Sequence, residues 1–335
     1  MPKRLGNLIP LIAEPDNLRC AAWKASRGKK QRAEVQDFLA NLDAEVAQLR
    51  SDLLLNKVEV GAYKQFRIYD PKERVISAAP FRQRVLHHAI MNYCHWRFDS
   101  YLPEHVFASR IGKGTTAAMA YASGMQERFA WFAKLDVRGY FPSIHHGTLM
   151  AQLRRLFKDS SLLYLFERIM KSCPSSDGFG LPIGNLTSQY WANHYLGCCD
   201  HYILQELRPA AYCRYMDDMV LWHTDKNQLL AMVSAIETFC AERLKLTLKA
   251  PLIQKADRGL PFIGYTFFPN HIRLNQRSKL RFRRKMKSLN YQLQTGKISQ
   301  KKFQVHCLPL IEFVRKADSH SFRSSILRNL HSANG

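Results

Sequence analysis

Ala211-Tyr212-Cys213-Arg214-Tyr215-Met216-Asp217-Asp218-Met219-Val220-Leu221-Trp222 is the stretch on which the reading of this chain turns. Apolar runs on both sides of Tyr215-Met216-Asp217-Asp218 predict two strands joined by a tight turn, with adjacent carboxylates at its tip. Adjacent acids repel each other, and burial only makes their ionisation costlier. Shared coordination of a hard divalent cation is the stabilisation that suits them. The bland alternative is a solvated acidic turn.

Two-metal phosphoryl transfer needs a further carboxylate from elsewhere in the chain. Asp136 supplies one, closing the apolar run Phe129-Ala130-Trp131-Phe132-Ala133-Lys134-Leu135. Beyond it, Val137-Arg138-Gly139-Tyr140-Phe141-Pro142 leaves the strand through glycine and ends at proline. Asp136 and both aromatics are therefore expected at a strand end facing a cleft. An aspartate closing a strand is commonplace and, taken alone, structural. Paired with the acidic hairpin it becomes the expected partner, giving three carboxylates on neighbouring strands around two Mg²⁺ ions about 4 Å apart.

The 335 residues are 46% hydrophobic and carry 50 Lys+Arg against 27 Asp+Glu, a formal net charge of +23. That length allows a sizeable core in two or three subdomains, and the charge predicts a polyanionic partner. Residues 271–335 hold 15 Lys+Arg and 2 Asp+Glu, more than half of the excess. No apolar stretch reaches the roughly 18 residues of a membrane span, so no membrane partner and a cytoplasmic location are expected. The eight cysteines form no CxxC pair and read as reduced core thiols. His87-His88 with Cys94-His95 matches no usual zinc spacing and reads as part of a helix.

Along the chain, residues 16–28 predict a short helix with Asp16 as N-cap and Gly28 as its stop. Val35, Phe38, Leu39, Leu42, Val46, Leu49 and Leu53 recur at helical spacing, predicting one longer amphipathic helix. Tyr63–Tyr69 and Arg74–Ser77 alternate as a hairpin with Lys72 and Arg74 near its turn, and residues 84–100 read as a helix. Ser109-Arg110-Ile111-Gly112-Lys113-Gly114-Thr115 invites a phosphate-loop reading, but the glycine that such a loop needs upstream of its Gly-Lys pair is missing. A flexible basic loop at a helix N-terminus remains, suited to a backbone phosphate. Gly178–Gln189 packs glycines and a proline into a loop that runs into a helix capped by Thr187 or Ser188. After Pro269, Phe282, Met286, Leu289 and Leu293 form an apolar stripe, with Lys279, Arg283, Arg284 and Lys287 on the other positions. A charge run is usually a solvated face, but one of a single sign repels itself unless something anionic offsets it.

In order, these motifs resemble those of reverse transcriptases over roughly residues 18–320. The blocks are Pro71-Lys72-Glu73-Arg74-Val75-Ile76; Arg110-Ile111-Gly112-Lys113-Gly114-Thr115; Leu135-Asp136 through Ile144; Leu181-Pro182-Ile183-Gly184; Tyr215-Met216-Asp217-Asp218; and Leu260-Pro261-Phe262-Ile263-Gly264-Tyr265. The resemblance implies an α+β right-hand polymerase fold: an N-terminal helical extension (1–60), fingers with first palm elements (61–130), a palm with an antiparallel sheet (131–269) and a basic helical thumb (270–335).

Gly184-Asn185-Leu186-Thr187-Ser188-Gln189 further resembles the hallmark block of diversity-generating retroelement reverse transcriptases, as do Arg27-Gly28-Lys29-Lys30 and Ala317-Asp318-Ser319. Most relatives read Pro-Gln-Gly and Ser-Pro where this chain has Pro182-Ile183-Gly184 and Ser188-Gln189. The resemblance implies copying of a template-repeat RNA into cDNA with misincorporation opposite adenine. Its implied partners are template RNA, the cDNA or primer, dNTPs and a small basic oligomeric accessory protein. The implied setting is a bacterial or phage-infected cell.

By the same resemblance, Asp136, Asp217, Asp218 and the Val137 carbonyl would hold two Mg²⁺ ions, with Mn²⁺ as a substitute. Lys72 and Arg74 would clamp the triphosphate; Arg138, Gly139, Tyr140, Phe141, Ile183 and Lys249 would line the nucleotide site, with Phe141 excluding a 2′-hydroxyl. Template and primer would meet Arg110, Lys113, Gly184, Asn185, Ser188, Gln189, Lys279, Arg283, Arg284 and Lys287. Competing readings are a group II intron or retron enzyme, and a non-catalytic RNA-binding scaffold. The intron type carries a maturase region beyond the thumb, and the retron type a Val-Thr-Gly signature that does not occur here. Three electrostatically costly carboxylates weigh against the scaffold.

Overall fold

The computed structural model describes residues 3–69, 73–172 and 178–331, with side chains through residue 328. Its amino-terminal part is helical: α1 (Leu8–Ile12), α2 (Pro15–Ser26), α3 (Ala33–Ala40) and α4 (Leu42–Leu54). Pro15 takes the first position of α2, so Glu14 rather than Asp16 is the cap residue, and Asp16 lies in the first turn where it complements the helix dipole. The single helix expected over 35–53 is two. Asn41 divides them, its side-chain amide donating to the Asp37 carbonyl at 3.0 Å in competition with the helical ladder. The apolar stripe still buries Val35, Phe38, Val46, Leu49 and Leu53.

A hairpin of β1 (Lys64–Tyr69) and β2 (Glu73–Ala78) leads into α5 (Phe81–Tyr101) and α6 (Thr115–Arg128). Strand β3 (Trp131–Asp136) is followed by α7 (Tyr140–Ser143), α8 (His146–Leu156), α9 (Ser160–Lys171), α10 (Leu186–Tyr195) and α11 (Gly197–Tyr202). Then come β4 (Ala211–Tyr215), β5 (Asp218–His223), α12 (Lys226–Leu244) and β6 (Leu252–Lys255). A small meander of β7 (Leu260–Phe262), β8 (Tyr265–Phe267) and β9 (Ile272–Leu274) precedes α13 (Gln276–Gln294), α14 (Gln300–Arg315) and α15 (His320–His331).

The larger sheet has the order β4-β5-β3-β6 with every neighbour antiparallel, and both of its faces are covered. Alternation along the strands divides its side chains between two cores. Ala133, Leu135, Tyr212, Met219 and Leu221 join the helices α1–α5 and α8–α12. Phe132, Ala211, Cys213, Val220 and Trp222 join α6, the β7–β9 meander and α13–α15. Burial on two sides explains why Met219-Val220-Leu221-Trp222 is continuously apolar. The result is the expected α+β architecture, with the sheet's strand ends free to form a site.

His87 lies in α5, where its buried ring pairs with the Thr187 hydroxyl at 3.0 Å and burial lowers its pKa to about 3. The capping expected from Thr187 or Ser188 is not found: both lie inside α10 with buried side chains, and Asn185 takes the N-cap position without a side-chain cap hydrogen bond.

Candidate active site

Register places the acids. Asp136 at the end of β3 stands directly opposite Asp218 at the start of β5. Met216 and Asp217 connect Tyr215 to Asp218 as a two-residue turn, and Met216 takes a left-handed conformation, φ 55°. Lys134 precedes Asp136 by two residues and shares its face of the strand. Its ammonium lies 2.9 Å from Asp218 Oδ1. The segment Thr247–Lys249 runs beside the end of β3: Arg138 N–H donates to the Thr247 carbonyl and Lys249 N–H to the Asp136 carbonyl, both at 2.8 Å. That pairing delivers the Lys249 ammonium to the Asp136 carboxylate.

Charge balance in this cluster is uneven. Burial, then Asp218, then Asp136 push the Asp217 carboxyl up to about 6. Burial also raises Asp218, although Lys134 pulls it back down. Among the described residues no group of three His, Cys, Asp or Glu side chains is gathered as a ready metal cluster, and two of the acids are drawn to lysines instead. The donor set still suits a hard divalent cation. All three acids offer oxygen, and Asp218 Oδ1 is buried near Lys134 without a well-aligned hydrogen bond.

Two clefts meet at these acids. One, of about 710 Å³, is bordered by Arg74, Val75, Phe141 and Ile183 together with Val137 and Gly139. The other, of about 530 Å³, has Lys134, Asp136 and Asp218 on one wall, and the β7–β8 turn and the start of α13 on the other. Arg74, Asp217 and Lys249 border both. Gly139 adopts φ 56°, a left-handed turn that starts α7 and brings half-buried Phe141 to the cleft. Both aromatics border it, Tyr140 as a buried residue whose hydroxyl donates to the Ala192 carbonyl. Arg138 is exposed at the rim, and Lys72 lies outside the described residues.

The residues expected to meet template or primer divide by exposure. Gly184 and Gln189 are exposed, as are Arg283, Arg284 and Lys287 on α13, while Lys279 is half-buried with its ammonium 6.0 Å from the Phe322 ring centre. Three others are corrected. The Arg110 side chain is 8% exposed and folds inward to Asp99 and to the carbonyls of Pro103, Val106 and Asp99, which commits its fork to tying the loop together. Asn185 is buried with its amide donating to the Tyr63 hydroxyl at 2.8 Å, and Ser188 is wholly buried. Lys113 is half-buried, its ammonium donating to the Glu104 carbonyl.

Several site residues escaped the sequence reading. Lys134 could have been found from its two-residue spacing to Asp136. Asn275, Gln276 and Arg277 reach the cleft because the Asn275 N–H and Ser278 hydroxyl donate to the Gly264 carbonyl, at 3.3 and 2.7 Å. Ile263, at that turn, has φ 42°, a strained conformation for a β-branched residue. No local pattern announces either feature.

Residues 68–267 match the family model described as reverse transcriptase (RNA-dependent DNA polymerase). Protein YkfC of Escherichia coli (strain K12) is 24% identical over 326 residues, covering 78% of this chain and 83% of that protein. Among solved structures, telomerase from Candida albicans in complex with the TWJ fragment of telomeric RNA is similar at TM-score 0.49 and 11% identity, over 85% of this chain and 58% of that one. Apo telomerase from Candida tropicalis, truncated from its C-terminal domain, is similar at TM-score 0.48 and 9% identity, over 64% and 55%. The chain thus spans little more than half the length of these telomerases. The family match covers more than half of the chain and includes Asp136, Asp217 and Asp218, and the chain belongs to the reverse transcriptase (RNA-dependent DNA polymerase) family.

Proposed function

We propose that this reverse transcriptase copies a template-repeat RNA into cDNA for a diversity-generating retroelement, misincorporating opposite adenine. The observation that carries the polymerase chemistry is the opposition of Asp136 and Asp218 across β3 and β5, with Asp217 on the adjoining turn bordering both clefts. Asp136, Asp217, Asp218 and the Val137 carbonyl would hold two Mg²⁺ ions, or Mn²⁺ in their place. Such ions activate the attacking 3′-oxygen and offset charge on the leaving pyrophosphate. Lys134 and Lys249, each paired with one acid, offset carboxylate charge until the ions and substrate arrive. Released from Asp136, Lys249 would meet the phosphates from below and exposed Arg74 from the β1–β2 hairpin above. Lys72 would act from the same hairpin. Phe141 would lie under the incoming sugar and exclude a 2′-hydroxyl, with Arg138, Gly139 and Tyr140 shaping the floor.

The larger sheet fits a palm within 131–269, the β1–β2 hairpin fingers within 61–130, and α13–α15 a thumb within 270–335, behind a helical extension over 1–60. Exposed Arg283, Arg284 and Lys287 would hold the duplex, and Gly184 and Gln189 the template. A small basic accessory protein would bring the RNA, in the cytoplasm of a bacterial or phage-infected cell. The subfamily reading rests on the block from Gly184 to Gln189 and on Ile183, which borders the nucleotide cleft with a side chain that can neither donate nor accept a hydrogen bond. A pocket so weakly constrained would tolerate mispairs.

Primer extension on an adenine-containing RNA with Mg²⁺ and dNTPs tests this, with the Asp217→Ala, Asp218→Ala double variant as control. Synthesis lost in the control, with errors concentrated opposite adenine and fewer errors in Ile183→Gln, is expected. Accurate synthesis would point to another prokaryotic reverse transcriptase. No synthesis, even with accessory protein and cognate RNA, would point to an RNA-binding scaffold.

A further inference from the structure

Arg214 sits in β4, two residues before Met216, and none of the roles above uses it. Its side chain is fully buried, yet all five of its N–H groups have acceptors. Nε donates to Asp200 Oδ1 at 2.7 Å, and Nη2 donates to Asp200 Oδ2 at 2.5 Å and to the Asn193 carbonyl at 2.9 Å. Nη1 donates to Asn193 Oδ1 at 2.9 Å and to the Met216 carbonyl at 2.7 Å. The acceptors are themselves fixed. Asp200, on α11, also accepts from the Tyr212 hydroxyl at 2.6 Å, and Asn193, on α10, donates to the Ala108 carbonyl at 2.8 Å.

A buried ion pair is weak support for stability, because a well-packed apolar pair of similar volume often does as well. No apolar pair could hold the Met216 carbonyl. That carbonyl belongs to the residue whose left-handed backbone turns the chain and aims Asp217 at the cleft. For a residue other than glycine such a conformation persists only where its surroundings hold it. The geometry points to Arg214 as a positioning residue for the acidic turn: its guanidinium, locked to α10 and α11, holds the Met216 carbonyl and so keeps the Asp217 carboxylate where a divalent cation can be shared with Asp136. This rests on the carboxylate roles proposed above.

Removing Arg214 alone would strand the Asp200 charge, so two variants are paired. Arg214→Lys keeps a cation for Asp200, but its single nitrogen cannot also reproduce the fork to Met216. Arg214→Gln with Asp200→Asn removes both charges and leaves an amide too short to span the same acceptors. Mn²⁺ binding is read by electron paramagnetic resonance, folding by circular dichroism and denaturation, and primer extension by separate kcat and KM. In folded variants Mn²⁺ affinity and kcat should each fall about tenfold or more, with KM for dNTP unchanged within about twofold. Wild-type Mn²⁺ affinity in a folded variant would overturn the inference, and so would failure of both variants to fold, which would make the network purely structural. If the wild type binds Mn²⁺ yet extends no primer, the polymerase reading fails by itself; the inference then stands or falls on the Mn²⁺ shift in the variants.

Discussion

Asp217 carries the electrostatic tension of the site, with its carboxyl raised to about 6 by burial and two neighbouring acids. The folded chain holds this proton more tightly than the unfolded chain does. The cost of ionisation therefore grows as pH rises from the ordinary carboxylate range, and is complete above about 6. Asp217→Asn should stabilise the metal-free protein near neutral pH by about 1–3 kcal/mol while abolishing Mg²⁺-dependent synthesis. A denaturation midpoint that stays put or falls would show that the acids do not repel as argued. The same sign governs cation binding, which needs the ionised form: Mn²⁺ affinity should drop as pH is lowered through about 6. A flat titration across that window would contradict it. The acids could be read from the chain because two adjacent carboxylates between apolar strands repel each other, and a third closing another apolar run completes a set that a shared cation suits. Arg110, Asn185 and Ser188 could not, because residue type does not reveal which way a side chain turns. Arg110 turns inward to Asp99 and loop carbonyls, Asn185 to the Tyr63 hydroxyl, and Ser188 lies on the buried side of α10.

Among the elements, the contact between the β1–β2 hairpin and the Ile183-Gly184 loop sets the nucleotide cleft. Ser77 N–H donates to the Ile183 carbonyl at 2.8 Å, and a Cβ on Gly184, at φ 125°, would stand 3.0 Å from the Ser77 carbonyl oxygen. Gly184→Ala should therefore cost about 1–3 kcal/mol through backbone strain and close approach. The loss should appear as faster hydrogen exchange at the Ser77 amide and a raised KM for dNTP, and unchanged exchange there would remove the loop from the cleft's architecture. The hairpins were legible from alternation with turn residues, and α13 from its stripe. The junction was not, since it joins segments about a hundred residues apart through backbone groups that every residue possesses. The division of one expected helix at Asn41 was equally hidden, because the stripe continues across the break.

Across the whole molecule, the charge of +23 has a direction as well as a size. Helix α13 begins at the cleft wall beside the acids, with Gln276 and Arg277, and carries exposed Arg283, Arg284 and Lys287 away from it. Its stripe of Phe282, Met286 and Leu289 is buried in the second core, so the basic face is fixed relative to the sheet rather than free to turn. A duplex leaving the acids would run along that face, and each phosphate contact would release a counterion. Neutralising Arg283, Arg284 and Lys287 together to glutamine should weaken primer–template binding and reduce the slope of log Kd against log salt by about 2–3. Because none of the three borders the cleft, kcat at saturating primer–template should hold within about twofold, and the denaturation midpoint should not move. An unchanged salt slope would place the nucleic acid elsewhere and leave the charge of α13 to another partner. A fall in kcat at saturation would mean instead that this helix acts on the acids, through the tie from Ser278 to the Gly264 turn, and not on the duplex alone.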